Sequence, residues 1–216
     1  MKDLLVIIPS RGRPETVGVV AQEFFENSDG HADLMFATDD DQPEYPFYPG
    51  VLFRRGPRLR MCGTLNEAAW ENADKYKYIG FLGDDHRTRT RGWDTKVIEA
   101  LQDHNVVYGN DLIWGEGLPT AVFLKAEIVR RLGYMAPPSL IHLYLDNFWL
   151  ELGRNTSIKY LSDVIIEHLH PSAGKAEWDE SYLEVNDQAL YDHDREALED
   201  YMATKFDEDL EKLDGV

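Results

Sequence analysis

Three side chains able to bind a metal stand in a row at Asp84-Asp85-His86, directly after the apolar run Tyr78 to Leu82 and Gly83. A buried strand that stops in two adjacent carboxylates delivers negative charge to the edge of a sheet. Such carboxylates repel one another unless something positive sits between them, and a divalent cation bound to a diphosphate is one such thing. A second group follows at Glu167-His168-Leu169-His170-Pro171. Residues two apart on a strand share a face, so His168 and His170 are expected to point the same way, with Val164 and Ile166 burying the start of that face. One imidazole reaching a metal held by Asp85 would give a mixed N/O shell suited to Mn2+ or Mg2+. The spacing leaves open which of the two histidines that is.

Asp146, in Leu143-Tyr144-Leu145-Asp146-Asn147-Phe148-Trp149, is an acid among apolar and aromatic residues. It is either a helix N-cap or a reactive carboxylate with a raised pKa. Polar residues also gather after two early strands, as Ser10-Arg11-Gly12-Arg13-Pro14 and as Asp39-Asp40-Asp41. Both are strand ends on one edge, where arginines can meet phosphates and carboxylates can take ribose hydroxyls or a base N–H. Lys175 follows Gly174 in a Pro-Ser-Ala-Gly-Lys loop. The expectation is a cation free to swing over a diphosphate, in a segment from Pro171 to Trp178 that ligand would order.

The elements that must position these groups alternate. Leu4 to Pro9 reads as a buried strand, and Pro14 and Glu15 open a helix with Val17, Val20, Ala21, Phe24 and Phe25 on one face. Ala32 to Thr38, Val51 to Arg55 and Tyr78 to Leu82 are strands, and Thr64 to Asn72 is a helix. Trp93, Val97, Ile98 and Leu101 mark another helix. Val106 to Tyr108 and Ala121 to Leu124 are strands separated by the Gly-rich loop Trp114 to Thr120. Ile128 to Leu132 and Asp146 to Leu152 are helical, Val164 to His168 is a late strand, and Asp187 to Lys212 reads as one long polar helix. The first half is βαβ-like, so the fold class is α/β with a mostly parallel sheet between helices.

Composition bounds the rest. The 216 residues suit one domain with a sizeable core, and 43% apolar and 12% aromatic content exclude a disordered chain. No apolar run approaches the roughly 20 residues that span a bilayer, and Leu4 to Ile8, followed by Pro9, is too short for a signal peptide. The single cysteine, Cys62, excludes an internal disulfide and fits a reducing compartment, so cytoplasm is expected. The net charge is −18, and from Ala176 to Val216 fifteen Asp/Glu face three Lys/Arg. That stretch is expected to be a solvated acidic helix, and the acidity argues against direct binding to long nucleic acids.

Leu5-Val6-Ile7-Ile8-Pro9-Ser10-Arg11 resembles the opening strand of family 2-type glycosyltransferases with the GT-A (Rossmann-like) fold. Asn66 to Leu82 resembles their Asn-containing helix and the following strand, which runs here into Gly83-Asp84-Asp85-His86. The likeness extends from about Leu4 to Tyr182, and small phage-encoded members look closest. It implies a GT-A-like catalytic domain over residues 1–182, with residues 183–216 an acidic helical extension packed on it. It implies a nucleotide bordered by Pro9, Ser10, Arg11 and Arg13, with Asp39 contacting base or ribose and Asn66 also at the nucleotide-sugar. It further implies Asp85 as metal ligand with His168 or His170, and Asp146 as general base of an inverting reaction. Two departures matter: Gly83 stands where the first Asp of the motif is expected, leaving that role to Asp84, and Leu65 stands where many members have Arg.

The expected function is metal-dependent transfer of a sugar from a UDP- or GDP-linked donor to an acceptor hydroxyl of unknown identity. A nucleotidyltransferase would use the same metal-diphosphate logic, but no Gly-rich phosphate loop with a following Lys lies near the first strand. A non-catalytic sugar- or nucleotide-binding module is the third reading.

Overall fold

Leu4 to Ile8 are five consecutive apolar residues, and none has any exposed surface. Only a strand covered on both faces can bury such a run. That strand, β1 (Leu4–Ser10), lies inside an eight-stranded sheet. The computed structural model describes residues 2–216, the side chains of 180 and 181 left aside.

In chain order the elements are β1, α1 (Thr16–Asn27), β2 (Ala32–Asp39), β3 (Val51–Gly56), α2 (Arg60–Asn72), β4 (Tyr78–Phe81), β5 (His86–Thr88) and α3 (Trp93–Asp103). They continue with β6 (Val106–Asn110), β7 (Val122–Lys125), α4 (Ala126–Leu132), α5 (Leu145–Asn155), β8 (Ile158–His168), α6 (Glu180–Val185), α7 (Gln188–Thr204) and α8 (Phe206–Lys212). The sheet order is β3-β2-β1-β4-β7-β6-β8-β5. The pairs β1–β2, β1–β4, β2–β3 and β6–β8 are parallel, whereas β4–β7, β6–β7 and β5–β8 are antiparallel. The architecture is α/β, with a mostly parallel sheet between helices.

The pleat of β1 divides the core. Leu5 and Ile7 face one side with residues of α2, α4 and α5, and Leu4, Val6 and Ile8 face the other with residues of α1 and α3. Tyr201, Phe206 and Leu213 from the C-terminal helices join the first cluster. The expected single helix from Asp187 to Lys212 is two helices, α7 and α8, which meet at Lys205. The break lets Phe206 turn inward against Phe148 and Tyr201. Nor is this stretch merely a solvated acidic face, because Asp194 and Asp209 are buried. Among the described residues, no helix is long and apolar enough to cross a membrane.

Register fixes the working edge. Ser10 pairs with Thr38, and Ile7 pairs with Phe81, so the ends of β1, β2 and β4 open on the same side. In an open α/β sheet this carboxyl edge is where ligands bind.

Candidate active site

The chain turns sharply after β4 and returns as β5, only three residues long. Its antiparallel pairing with β8 sets His86 directly opposite His168. Their imidazoles stack with centroids 4.1 Å apart and planes 18° from parallel. His86 Nδ1 lies 3.2 Å from Asp85 Oδ1, and His168 Nε2 lies 3.2 Å from Asp85 Oδ2. One possible donor atom from each of Asp85, His86 and His168 falls within 4.8 Å of the other two. Burial raises the pKa of Asp85, but the flanking His168 and His86 prevail and hold it well below the usual carboxylate range. Burial, reinforced by the neighbouring His168, pushes His86 down to about 4.

Gly83 makes room for this group. A Cβ there would come within 2.5 Å of Asp85 Oδ1 and 2.9 Å of His86 Nδ1. The Asp expected at this position from the family pattern would have to displace both side chains. Asp84 turns the other way, taking the Ser10 hydroxyl at 2.6 Å and the Arg13 guanidinium at 2.8 Å. Burial raises its pKa against the pull of Arg13.

The two histidines of the late strand separate in backbone setting. β8 ends at His168, and His170 instead begins a 3-10 turn, where its Nδ1 lies 2.7 Å from the Ser172 hydroxyl. The ladder therefore does not impose the shared face expected for the two rings, which stand edge-to-face at 5.1 Å. Lys175 is not free either. Its ammonium donates to Glu167 Oε1 at 3.0 Å, while Arg89 takes the other carboxylate oxygen. Asn66 braces the backbone: its carbonyl accepts from Met135 and Ala136 N–H, its amide donates to Ala136 O, and it lines neither cleft described below.

Two clefts meet at the cluster. One carries Arg11, Arg13, Arg58 and Arg60, with Pro9, Ser10, Asp39 and Asp84 beside them. Every one of these guanidiniums is held by a carboxylate. Arg11 binds Asp39 and Asp41, Arg13 binds Asp84 and Asp179, and Arg58 and Arg60 share Glu184 of α6. The second cleft, of about 540 Å³, contains Asp146, His142 and a set of aromatic rings including Trp114, Tyr144, Trp178 and Tyr191. Met61, Gly83, Asp85, His142, Tyr182 and Val185 border both. Tyr182 also donates its hydroxyl to Asp85 Oδ2 at 2.8 Å.

Asp146 lies in the first turn of α5 and is not its cap, which is Tyr144 in a left-handed conformation. The Asp146 carboxylate accepts its neighbour's N–H, from Asn147, at 2.9 Å. Burial raises its pKa, as suits a proton acceptor near neutral pH. Burial also drives His142 down to about 4, leaving it neutral at pH 7. Positive φ at a non-glycine residue is strained. Among the described residues it occurs at Arg60, Leu112 and Tyr144. Arg60 and Tyr144 line the clefts, and Leu112 directly precedes Ile113 and Trp114, which do.

Sequence reasoning missed Arg58, Arg60, Glu184, Tyr182 and His142. His142 had a local signal, as a polar residue in the apolar run before Asp146. The others depend on partners far along the chain and carry none.

No protein-family model matches the sequence, and no curated protein matches it. Among solved structures, the chain is similar to the mannosyltransferase PcManGT from Pyrobaculum calidifontis in complex with GDP-Man and Mn2+ (TM-score 0.61, 12% identity, 94% of this chain and 75% of that one). It is similar to S. aureus TarS 1-349 in complex with UDP-GlcNAc (TM-score 0.59, 13% identity, 94% and 72%). A third is glucosyl-3-phosphoglycerate synthase from Mycobacterium tuberculosis in complex with Mn2+, UDP and glucosyl-3-phosphoglycerate (TM-score 0.56, 13% identity, 88% and 77%). The likeness at these identities is one of fold: the sheet and its helices form the GT-A, Rossmann-like architecture.

Proposed function

We propose that this chain is a metal-dependent glycosyltransferase that moves a sugar from a UDP- or GDP-linked donor to an acceptor hydroxyl, with inversion. The observation that carries the reading is the convergence of Asp85, His86 and His168 where an arginine-lined cleft meets one containing the half-buried acid Asp146.

The residues fit a divalent cation. His86 Nδ1 and His168 Nε2 are the ring nitrogens turned to Asp85, each 3.2 Å from one of its oxygens. The opposite nitrogens, His86 Nε2 and His168 Nδ1, are buried without a hydrogen-bond partner among the described residues. Both rings flank one carboxylate, a mixed N/O set suited to Mn2+ or Mg2+. The neighbours PcManGT and glucosyl-3-phosphoglycerate synthase are in complex with Mn2+ together with GDP-Man and UDP respectively. A cation held there supplies Lewis-acid neutralisation of the diphosphate as it departs.

The chain's own groups do the rest. Arg11 and Arg13 are suited to phosphate oxygens, for which a guanidinium offers a forked pair of donors. Asp39, at the end of β2, is suited to base or ribose. Asp146 takes the proton of the acceptor hydroxyl as that oxygen attacks the anomeric carbon from the face opposite the leaving diphosphate. The assignment of one carboxylate as base is what favours inversion. Incubation with a panel of UDP- and GDP-sugars and Mn2+ tests the reading. Slow release of nucleoside diphosphate, abolished by chelator, is expected. Pyrophosphate-dependent exchange would instead make the chain a nucleotidyltransferase, and binding without turnover a sugar- or nucleotide-binding module.

A further inference from the structure

The two clefts differ in charge. The first holds four arginines balanced by Asp39, Asp84, Asp85 and Glu184, whereas the second is lined, among the described residues, by no lysine and no arginine. The second does carry Asp85 and Asp146. An anionic acceptor entering it would meet two carboxylates and, among the described residues, no lysine or arginine, and a cation held at Asp85 would serve the donor diphosphate.

The second cleft also exposes an aromatic ring that folding does not require. Trp114 is 61% exposed, although it lines the cleft. A solvent-facing indole on a loose loop would signify little. This loop is tightly held. Asp111 is buried, its Oδ1 accepts the N–H groups of Ile113, Trp114 and Gly115 at 2.8 to 2.9 Å, and its Oδ2 accepts the Thr120 hydroxyl. Leu112 adopts φ +62 within the same turn. The loop is tied to the metal-side strand as well, since His168 N–H donates to Asp111 O at 3.0 Å. A buried carboxylate, strained backbone and a strand contact thus serve to present one large apolar face beside the cleft. Trp114 lines the second cleft and not the arginine-lined one.

We infer that the acceptor is a neutral saccharide, whose pyranose ring stacks on Trp114 and offers a hydroxyl to Asp146. This rests on the glycosyltransferase reading. A pyranose presents axial C–H groups on one face and hydroxyls around its rim, which suits an aromatic platform ringed by hydrogen-bonding groups. Thr120, Ser172 and Asn186 line the cleft wall; each already holds an internal partner (Asp111, His170 and Tyr182) and keeps a further lone pair or N–H for a sugar hydroxyl. The net charge of −18 further disfavours a polyanionic acceptor.

Saturation-transfer NMR on the full chain tests this, with neutral methyl glycosides (glucoside, galactoside, mannoside, N-acetylglucosaminide) and the 6-phosphates of the same sugars as probes. At least one neutral glycoside is expected to receive saturation on its ring protons, with binding at least tenfold weaker for its 6-phosphate. Trp114→Ala should weaken that binding at least tenfold, and Trp114→Phe should retain most of it. Trp114→Leu, which keeps bulk without a ring, should behave like Ala and guards against loop collapse as the cause. Equal or tighter binding of the phosphates, an unchanged Trp114→Ala and Trp114→Leu pair, or no bound neutral glycoside would overturn the inference. Titration of UDP and GDP with Mn2+ into the wild-type sample separates the two failures. Nucleotide binding without glycoside binding sinks the saccharide assignment alone, and glycoside binding without nucleotide binding sinks the glycosyltransferase reading while leaving the platform.

Discussion

His86 and His168 are register partners across β5 and β8, and they close on the two oxygens of a single carboxylate, Asp85. A three-residue strand is thereby tied to an eleven-residue one at the point where the donors converge. The backbone ladder, rather than a flexible loop, sets the spacing of these donors, which is the kind of support a metal site needs.

Asp85→Ala should abolish Mn2+-dependent binding of UDP or GDP and leave the fold intact. The loss should exceed the roughly 10–100-fold that removal of an outer-sphere partner costs. Calorimetric titration with and without Mn2+ reads it, and wild-type affinity would remove the metal assignment.

Gly83→Ala tests the same site by volume. The new Cβ would press on two side-chain atoms, Asp85 Oδ1 and His86 Nδ1, and on no backbone. Those atoms can move, so thermal stability should change little. Their displacement should weaken Mn2+ binding by about tenfold or more, equivalent to about 1.4 kcal/mol. A variant that binds Mn2+ normally would show that the cluster tolerates disorder no metal site should.

Asp146→Asn should keep donor binding and lose roughly 10²–10⁴-fold in transfer, because an amide cannot accept the proton. Burial raises the pKa of Asp146, and a base works only when ionised. Transfer should therefore decline with falling pH above the ordinary Asp value of about 3.9. The pH profile of kcat/KM in wild type and variant checks both points, and a near wild-type rate in Asp146→Asn would make the acid structural.

Asp194→Ala should destabilise the chain far more than a surface acid would. Asp194 has no exposed surface, and its carboxylate accepts the N–H groups of Ile141, His142 and Leu143 at 2.7 to 3.0 Å. Each stranded donor costs roughly 1–3 kcal/mol, so a loss of about 3 kcal/mol or more is expected in urea unfolding. A shift below about 0.5 kcal/mol, the range of ordinary surface changes, would contradict the burial.

The sheet was readable because its signals are local. Leu4 to Ile8 and Tyr78 to Leu82 are apolar runs, and the polar residues after them, Ser10-Arg11 and Asp84-Asp85, fall at the working edge. β5 was not readable, since three residues reading His-Arg-Thr have no periodicity. The fate of His170 turned on a bond to Ser172 that competes with strand continuation. Lys175 looked free because Glu167, eight residues earlier, sat in the strand motif and was not considered as its partner. Pairings such as Arg60 with Glu184 join positions 124 residues apart, and charge counting cannot choose among forty acids.

The grip of Asp194 on residues 141–143 has a consequence for biosynthesis. Translation runs from the N-terminus, so the turn leading into α5 leaves the ribosome some fifty residues before the acid that satisfies its N–H groups. The first sheet strands can pair while that turn still relies on water. The wall beside Asp146 acquires its final shape only when α7 arrives. Nascent chains halted before residue 194 would carry the edge carboxylates with an unfinished cleft, so competence comes last in the order of assembly.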